Sequence, residues 1–508
     1  PIRKLHIETR LEVLDDALLV RATQLRADWK PLGKIRAQLE GEARSSANWT
    51  MRLRHLTTTA GSLRAEASQR DALLRLSGAS AGLDLGALMP ALLALHAPPM
   101  NLSGKLSGQF SAQRRAQAWS LDTALQLRSL SASEDSGRYA SEKLDADVAV
   151  QAQSTPRHWQ GKVSLQLPQG QAYVEPVFVD FGLAPATASA RFEFGKLDST
   201  LHLHAFELQQ NGIGNISGLA SVRPDQGRAS LQAQVQWQAL ELAPVFATYA
   251  QPFLAGKSME KLAPSGRASG RLQLINGAPV ALQLQLEKAN VEMADAGLSG
   301  IDAALHWATQ APVAVSTLRW RGGHIADLAL GGGDTSFRAQ ASDFELTRNL
   351  RLPLAGGALR VDKLALRNIG SANLAAGFQA EIEPIDLAAL CRAFGWPEFS
   401  GQLGGQLPGL RLHDNLLELD GALSARVFDG DVSVEKLRVL DPLGRVPRVS
   451  ADIRMRRLDL TALTGAFSFG RIDGRLDADV DGLRLLDWQP VAFKARLATT
   501  PGDASRQR

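Results

Sequence analysis

At 508 residues the chain exceeds what one hydrophobic core supports, so several domains or a repetitive array are expected. A hydrophobic content of 45% excludes disorder, and with only 6% aromatic residues the apolar surface is mainly Leu, Val and Ala. A net charge of +4, with Lys and Arg interleaved among acids, argues against a nucleic-acid surface; one cysteine excludes an intrachain disulfide and a thiolate metal cluster.

The chain opens at Pro1 without an initiator Met and stops at "SRQR", so it reads as a fragment, and a missing signal or anchor says nothing of a longer protein. Residues 1–82 read as a β-rich segment. A helical pattern, "LDLGALMPALLAL", starts at Leu83 and leads into "LSGKLSGQF"; its apolar run at 85–100 is broken by Pro90 and reads as a short core helix. Period-2 alternation, the sign of strands with one buried face, marks 144–150, 163–167 and 201–205. It is clearest where Leu231, Ala233, Val235 and Trp237 alternate with Gln232, Gln234, Gln236 and Gln238. A second helical pattern, "LELAPVFATYA", starts at Leu240. Beyond it Val280, Leu282, Leu284 and Leu286 alternate with Ala281, Gln283, Gln285 and Glu287, and strands are predicted at 359–366, 416–419, 432–440, 449–455 and 491–497. Gly, Asp, Asn and Pro punctuate these runs as hairpin turns do.

Two segments, "IDLAALCRAFGWPEFSGQLGGQLPGLRL" (385–412) and "LDLTALTGAFSFGRIDGRLDADVDGLRL" (458–485), align without a gap and are identical at 12 of 28 positions. Each opens with an Asp suited to an N-cap, Asp386 or Asp459. Leu387, Leu390 and Phe394, or Leu460, Leu463 and Phe467, follow at helical spacing, and a strand restarts at Gly401 or Gly474. With the looser copies at 83 and 240, the repeat divides the chain into 1–82, 83–239, 240–384, 385–457 and 458–508.

Roughly 30 candidate strands carry one apolar face each, and four helices of about three turns are too little to roof them. Packed sandwiches, a closed solenoid or one long curled sheet with a groove would solve this. An outer-membrane barrel would want aromatic girdles, against which three Tyr argue. The expected fold is all-β with a few short helices, a long, curled, mainly antiparallel sheet forming an elongated groove. A lining of Leu, Val and Ala suits flexible acyl chains, which need no hydrogen-bond partners. The candidate lining is Val235, Trp237, Leu282, Leu284, Leu286, Leu417, Leu419, Val432, Val434, Ile453, Leu476, Ala478 and Val480.

The "LDLxAL" helix running into "G-x-L" strands resembles the AsmA-like clan of bacterial envelope proteins, which includes AsmA, TamB, YhdP and YdbH. Residues 441–503, with "VSADIRMRRLDLTALTGAFSFGRIDGRLDADVDGLRLLDWQPVAFKARL" at their centre, are most similar to C-terminal segments of YdbH-like members. The resemblance covers the chain as an architecture, and its wording is specific from about 385 to 503. It implies a periplasmic β-groove, held to the inner membrane by an N-terminal helix absent here, that carries phospholipids toward the outer membrane. It implies no cofactor and no catalytic residue, and an outer-membrane lipoprotein is a candidate partner. An assembly factor for outer-membrane proteins, or a structural β-repeat scaffold, is the alternative reading.

Other constellations read as structural. "DADVDG" (477–482) opens like an EF-hand, yet its twelfth position is Trp488, and the other repeat copy has Gly404, Gln406 and Pro408 for the three aspartates. The expected alternative is a solvent-facing strand row, with Arg475 offsetting part of its charge. His202 and His204 share a polar strand face without a third ligand nearby. "RGGH" (321–324) and "GGGD" (331–334) lack a P-loop Lys and read as hairpin turns around "IADLAL". Cys391, on a short helix pattern, reads as a packed thiol. Paired carboxylates for glycoside cleavage are not sequence-local, and a β-helix polysaccharide lyase, the enzyme alternative, would have a much shorter repeat.

Overall fold

The computed structural model describes residues 2–14, 16–29, 33–88, 101–225, 228–256, 260–371, 373–394, 401–440, 447–466, 472–486 and 489–500. Among them the fold is all-β and mainly antiparallel: 31 strands of 4 to 17 residues, with four short helices at 85–88, Leu242–Val245, Leu387–Phe394 and Leu460–Ala466. Each alternating run named above lies inside a strand. The helices stand where the repeat copies begin, and they are shorter than the three turns expected. The chain forms two compact units, Pro1–Glu260 with Arg271–Pro279, and Lys261–Gly270 with Val280–Arg508.

In the first unit, strands from Ile2–Leu14 to Arg228–Glu241 pair in chain order as an antiparallel meander. One excursion breaks the order: the short strand Val177–Asp180 folds back on His158–Val174, which also pairs with Ala186–Gly195. Strands Leu73–Asp84 and Arg228–Glu241 run in the same direction. The helices that follow them therefore stand at the same strand end.

The second unit repeats this logic from Ala278–Glu292 to Gln489–Thr499, with a two-residue parallel contact of Trp307 and Ala308 on Ala339 and Gln340. Strands Ala375–Asp386 and Arg448–Asp459 are again codirectional, and each delivers a helix. The two repeat copies share their backbone bonds at the helix start and differ in which helical N–H the Asp caps, two residues on in one copy and three in the other. Leu387 N–H donates to Gly401 O (3.1 Å) and Leu460 N–H to Gly474 O (2.9 Å), while Asp386 N–H reaches Ala355 O and Asp459 N–H reaches Phe428 O. Asp386 Oδ1 caps Ala388 N–H at 2.9 Å and Asp459 Oδ1 caps Ala462 N–H at 2.9 Å. Asp84 does the same for Ala87 at the first helix.

Helix Leu387–Phe394 packs its apolar side on the sheet. Leu387, Leu390, Cys391 and Ala393 are buried with Leu328 and Ile385, and Leu354, Ile382, Leu403 and Val427 close around them. Cys391 is a packed thiol at 0% exposure, whereas Phe394 stays 41% exposed and is not part of this core. Phe467, its counterpart in the other copy, lies outside the described residues.

The glycine stretches are not turns. Gly322 and Gly323 lie within strand Ser316–Ile325, and Gly331 to Gly333 within Leu328–Gln340; the turn itself is at Ala326 and Asp327. A Cβ on Gly333 would sit 2.4 Å from the Trp320 ring, so this glycine makes room for a buried indole whose Nε1–H donates to Gly331 O.

Candidate functional site

Register decides which side chains share a face, because residues opposite one another on paired strands point the same way. In the first unit one row can be followed across twelve strands: Leu39, Leu53, Ala65, Gly78, Phe110, Thr123, Val150, Val163, Ala190, Phe206, Gly218 and Val235. Gly78 is the gap that receives the Phe110 ring, since a Cβ there would meet it at 2.5 Å. A parallel row ends in Leu208, Ile216 and Trp237. Val235 and Trp237 therefore belong to one continuous apolar face.

The second unit places the remaining predicted residues in the same manner. Leu282, Leu284 and Leu286 face Trp307, Leu305 and Ala303 across the ladder. Leu417 and Leu419 pair with Leu412 and Leu410. Val434, Ile453 and Val480 form one row, Val432, Met455 and Ala478 the next, and Leu476 sits opposite Leu458. The strand bulges preserve this facing, so these side chains share one face of their unit.

That face is poorly covered. Except for Leu419 and Ala478, the thirteen predicted residues are only half-buried. Many of the fully buried apolar residues are alanines, such as Ala146, Ala152, Ala233, Ala289 and Ala380, set close to the backbone. At the helix-bearing strand end of the first unit, a hollow of about 490 Å³ is lined by apolar groups, among them Leu102, Tyr173 and Phe178, interleaved with polar ones such as Ser103, Ser131, Ser141 and Glu142. Sequence reading missed it because its walls come from separate strands.

The opposite face carries ladders of ion pairs, including Arg54–Glu40 at 2.8 Å, Arg52–Glu66 at 3.2 Å and Arg454–Asp481 at 2.7 Å. Exposed pairs of this kind add little stability, and they favour one register over a slipped one. A second device recurs at the bulges. A bulge residue with positive φ donates its N–H to a side chain on a neighbouring strand: Ser129 to Asp145 (2.7 Å), Lys288 to Asp302 (3.0 Å), Arg457 to Asp477 (2.8 Å) and Gly482 to Asp452 (2.8 Å). The left-handed conformation is costly for Ser, Lys or Arg, and the charge-assisted bond offsets it. Bulges bend a strand and increase its twist.

"DADVDG" is thereby explained. Asp477 holds the Arg457 bulge and accepts from Thr500 Oγ1 (2.9 Å), Asp479 pairs with Arg456 (2.6 Å), and Asp481 pairs with Arg454. The offsetting cations are cross-strand Arg454 and Arg456, where the sequence pointed to Arg475. The Arg457 N–H, then the Thr500 hydroxyl, hold the Asp477 carboxyl below the usual aspartate range; the Gly482 N–H, then Lys436, do so for Asp452. His202 and His204 stack with ring centroids 6.2 Å apart, and His204 lies 3.6 Å from Glu193. Among the described residues no group of three or more His, Cys, Asp or Glu is placed to hold a metal.

No family model matches the chain, and no curated protein matches it.

Proposed function

We propose that the chain binds the acyl chains of phospholipids on its apolar face and serves, without catalysis, as a lipid conduit between the inner and outer membranes of a Gram-negative envelope. The observation that carries this reading is the run of paired apolar rows, half-buried and aliphatic, for which the four short helices are too little cover. Leu, Val and Ala make contacts without directional demands, so a flexible acyl chain fits at any register. Burial of each CH₂ contributes about 0.8 kcal/mol, enough to hold a chain firmly in sum. Neighbouring strands about 4.8 Å apart offer nearly equivalent positions, so movement from one to the next meets a low barrier. The resemblance of 385–503 to the AsmA-like clan supports the same reading and adds the periplasmic setting, the inner-membrane anchor and the outer-membrane partner.

Photoreactive residues at Val163 and Leu284, with native mass spectrometry of the purified chain, test it. Phospholipid adducts at both positions and co-purifying phospholipid are expected. Recovery of no phospholipid, with protein-only crosslinks, would make the face a protein-docking surface of the kind an assembly factor needs.

A further inference from the structure

At the end of the first unit opposite its helices, three successive hairpin turns differ in charge from the loops at the helix-bearing end. Of the hairpin turns at that end, these three lie at 114–119, 154–159 and 195–200, while Asp16 and Asp71 stand on others nearer the N-terminus. The three carry Arg114, Arg115, Arg157 and Lys196, all exposed, and among the described residues none of the four has an acidic group within ion-pair distance. Asp198, the one acid in these turns, is engaged by the Thr200 hydroxyl and N–H. In the loops at 134–143 and 175–180 of the helix-bearing end the balance reverses: Glu134, Asp135, Glu142, Glu175 and Asp180 outnumber Arg138 and Lys143.

Two of the cations sit on tryptophans that finish the apolar face. The Arg114 guanidinium lies 5.7 Å from the Trp119 ring centroid, and Lys196 Nζ lies 5.3 Å from that of Trp159 while donating to Thr155 O. Trp159 pairs with Phe194, one residue pair beyond Gly161 and Phe192 on the same face. Leu197, beside Lys196 at a turn tip, is 91% exposed. An aliphatic face thus passes through a tryptophan band into unpaired cations within a few residues. That is the order of chemistry along a phospholipid, from acyl chain through the interfacial region to phosphate.

We propose that this hairpin rim recognises the phosphates of anionic phospholipid headgroups. The inference rests on the lipid-binding reading of the face and adds which end of the strands holds the headgroup and which charge it selects. Electrostatic complementarity argues for this occupant, because four cations without acidic partners favour a dense array of phosphates.

Flotation of the full chain with phosphatidylcholine vesicles, with and without phosphatidylglycerol, tests the proposal. Wild type should prefer the anionic vesicles, and the preference should weaken with salt. Each basic group near such a surface contributes about fivefold, so the triple variant Arg114→Gln, Arg157→Gln, Lys196→Gln should bind them roughly 100-fold more weakly. Arg114→Lys with Arg157→Lys should keep the preference, and so should Arg138→Gln at the other end. Equal binding of wild type to both vesicle types, an unaffected triple variant, or loss of preference in the Lys variant overturns the rim. Acyl-chain labelling at Val163 separates the two readings: labelling that persists without any charge preference sinks the rim alone, while its absence in wild type sinks the face.

Discussion

Around Leu387–Phe394 the apolar face of the second unit becomes a core, with Cys391 at 0% exposure and Leu390 buried among Leu328 and Ile385. Across strands Asn101–Arg115 to Arg228–Glu241 of the first unit the same kind of face stays half-open, and Phe110 is 38% exposed. Both are written in alternating Leu, Val and Ala. What separates them is a two-turn helix inserted between strands in one case and tight turns in the other. Alternation specifies a face; a core additionally needs a cover of sufficient length.

The largest effect that sharpens this contrast is Leu390→Ala, which should destabilise by about 2–5 kcal/mol in urea unfolding, against less than about 1 kcal/mol for Val163→Ala on the open face. Equal losses would mean that the open face is packed as tightly as the core. Cys391→Ser buries a hydroxyl among aliphatic groups and should lose about 1–3 kcal/mol, and a thiol reagent should label Cys391 only as the chain unfolds. Leu284→Asp should change stability by about 1 kcal/mol or less while abolishing phospholipid recovery. Unfolding instead would show that Leu284 lies in a dry core. At the cap, Asp386→Ala should cost about 1 kcal/mol and Asp386→Asn nearly nothing, read from the unfolding step that contains this helix.

The acid limb is the subtlest. Asp477 and Asp452 are held below the ordinary value, so their bonds contribute fully above the unfolded-state value near ~3.9 and are lost as pH falls through the lower folded values. Asp477→Asn should flatten stability in that window. An unchanged acid profile would remove the bulge bond from the account.

The face was legible in the sequence because its period is 2 and long strands repeat it many times. Helix starts were legible through Asp386 and Asp459, whose capping is local. Cross-strand partners were not: Asp477 meets Arg457 only after turn lengths and bulges set the register, and nothing local to "DADVDG" states that. In-strand glycines were misread because glycine marks both a turn and a close approach. At Gly333 the Trp320 ring decides between them. The cationic hairpin rim was hidden for the same reason, since Arg114, Arg157 and Lys196 are far apart in the chain and meet only once strands align.

Nearest-neighbour pairing has a consequence for how the molecule is made. Apart from Trp307 and Ala308 against Ala339 and Gln340, the strands of each meander draw their backbone partners from strands close by in the chain. Each hairpin therefore closes a short loop, at small entropic cost, and adds to a template already formed. Such a sheet can grow strand by strand as the polypeptide arrives, with stability accumulating as a sum of local interfaces. Heat should then peel it in stages, and no single melting temperature would describe the molecule.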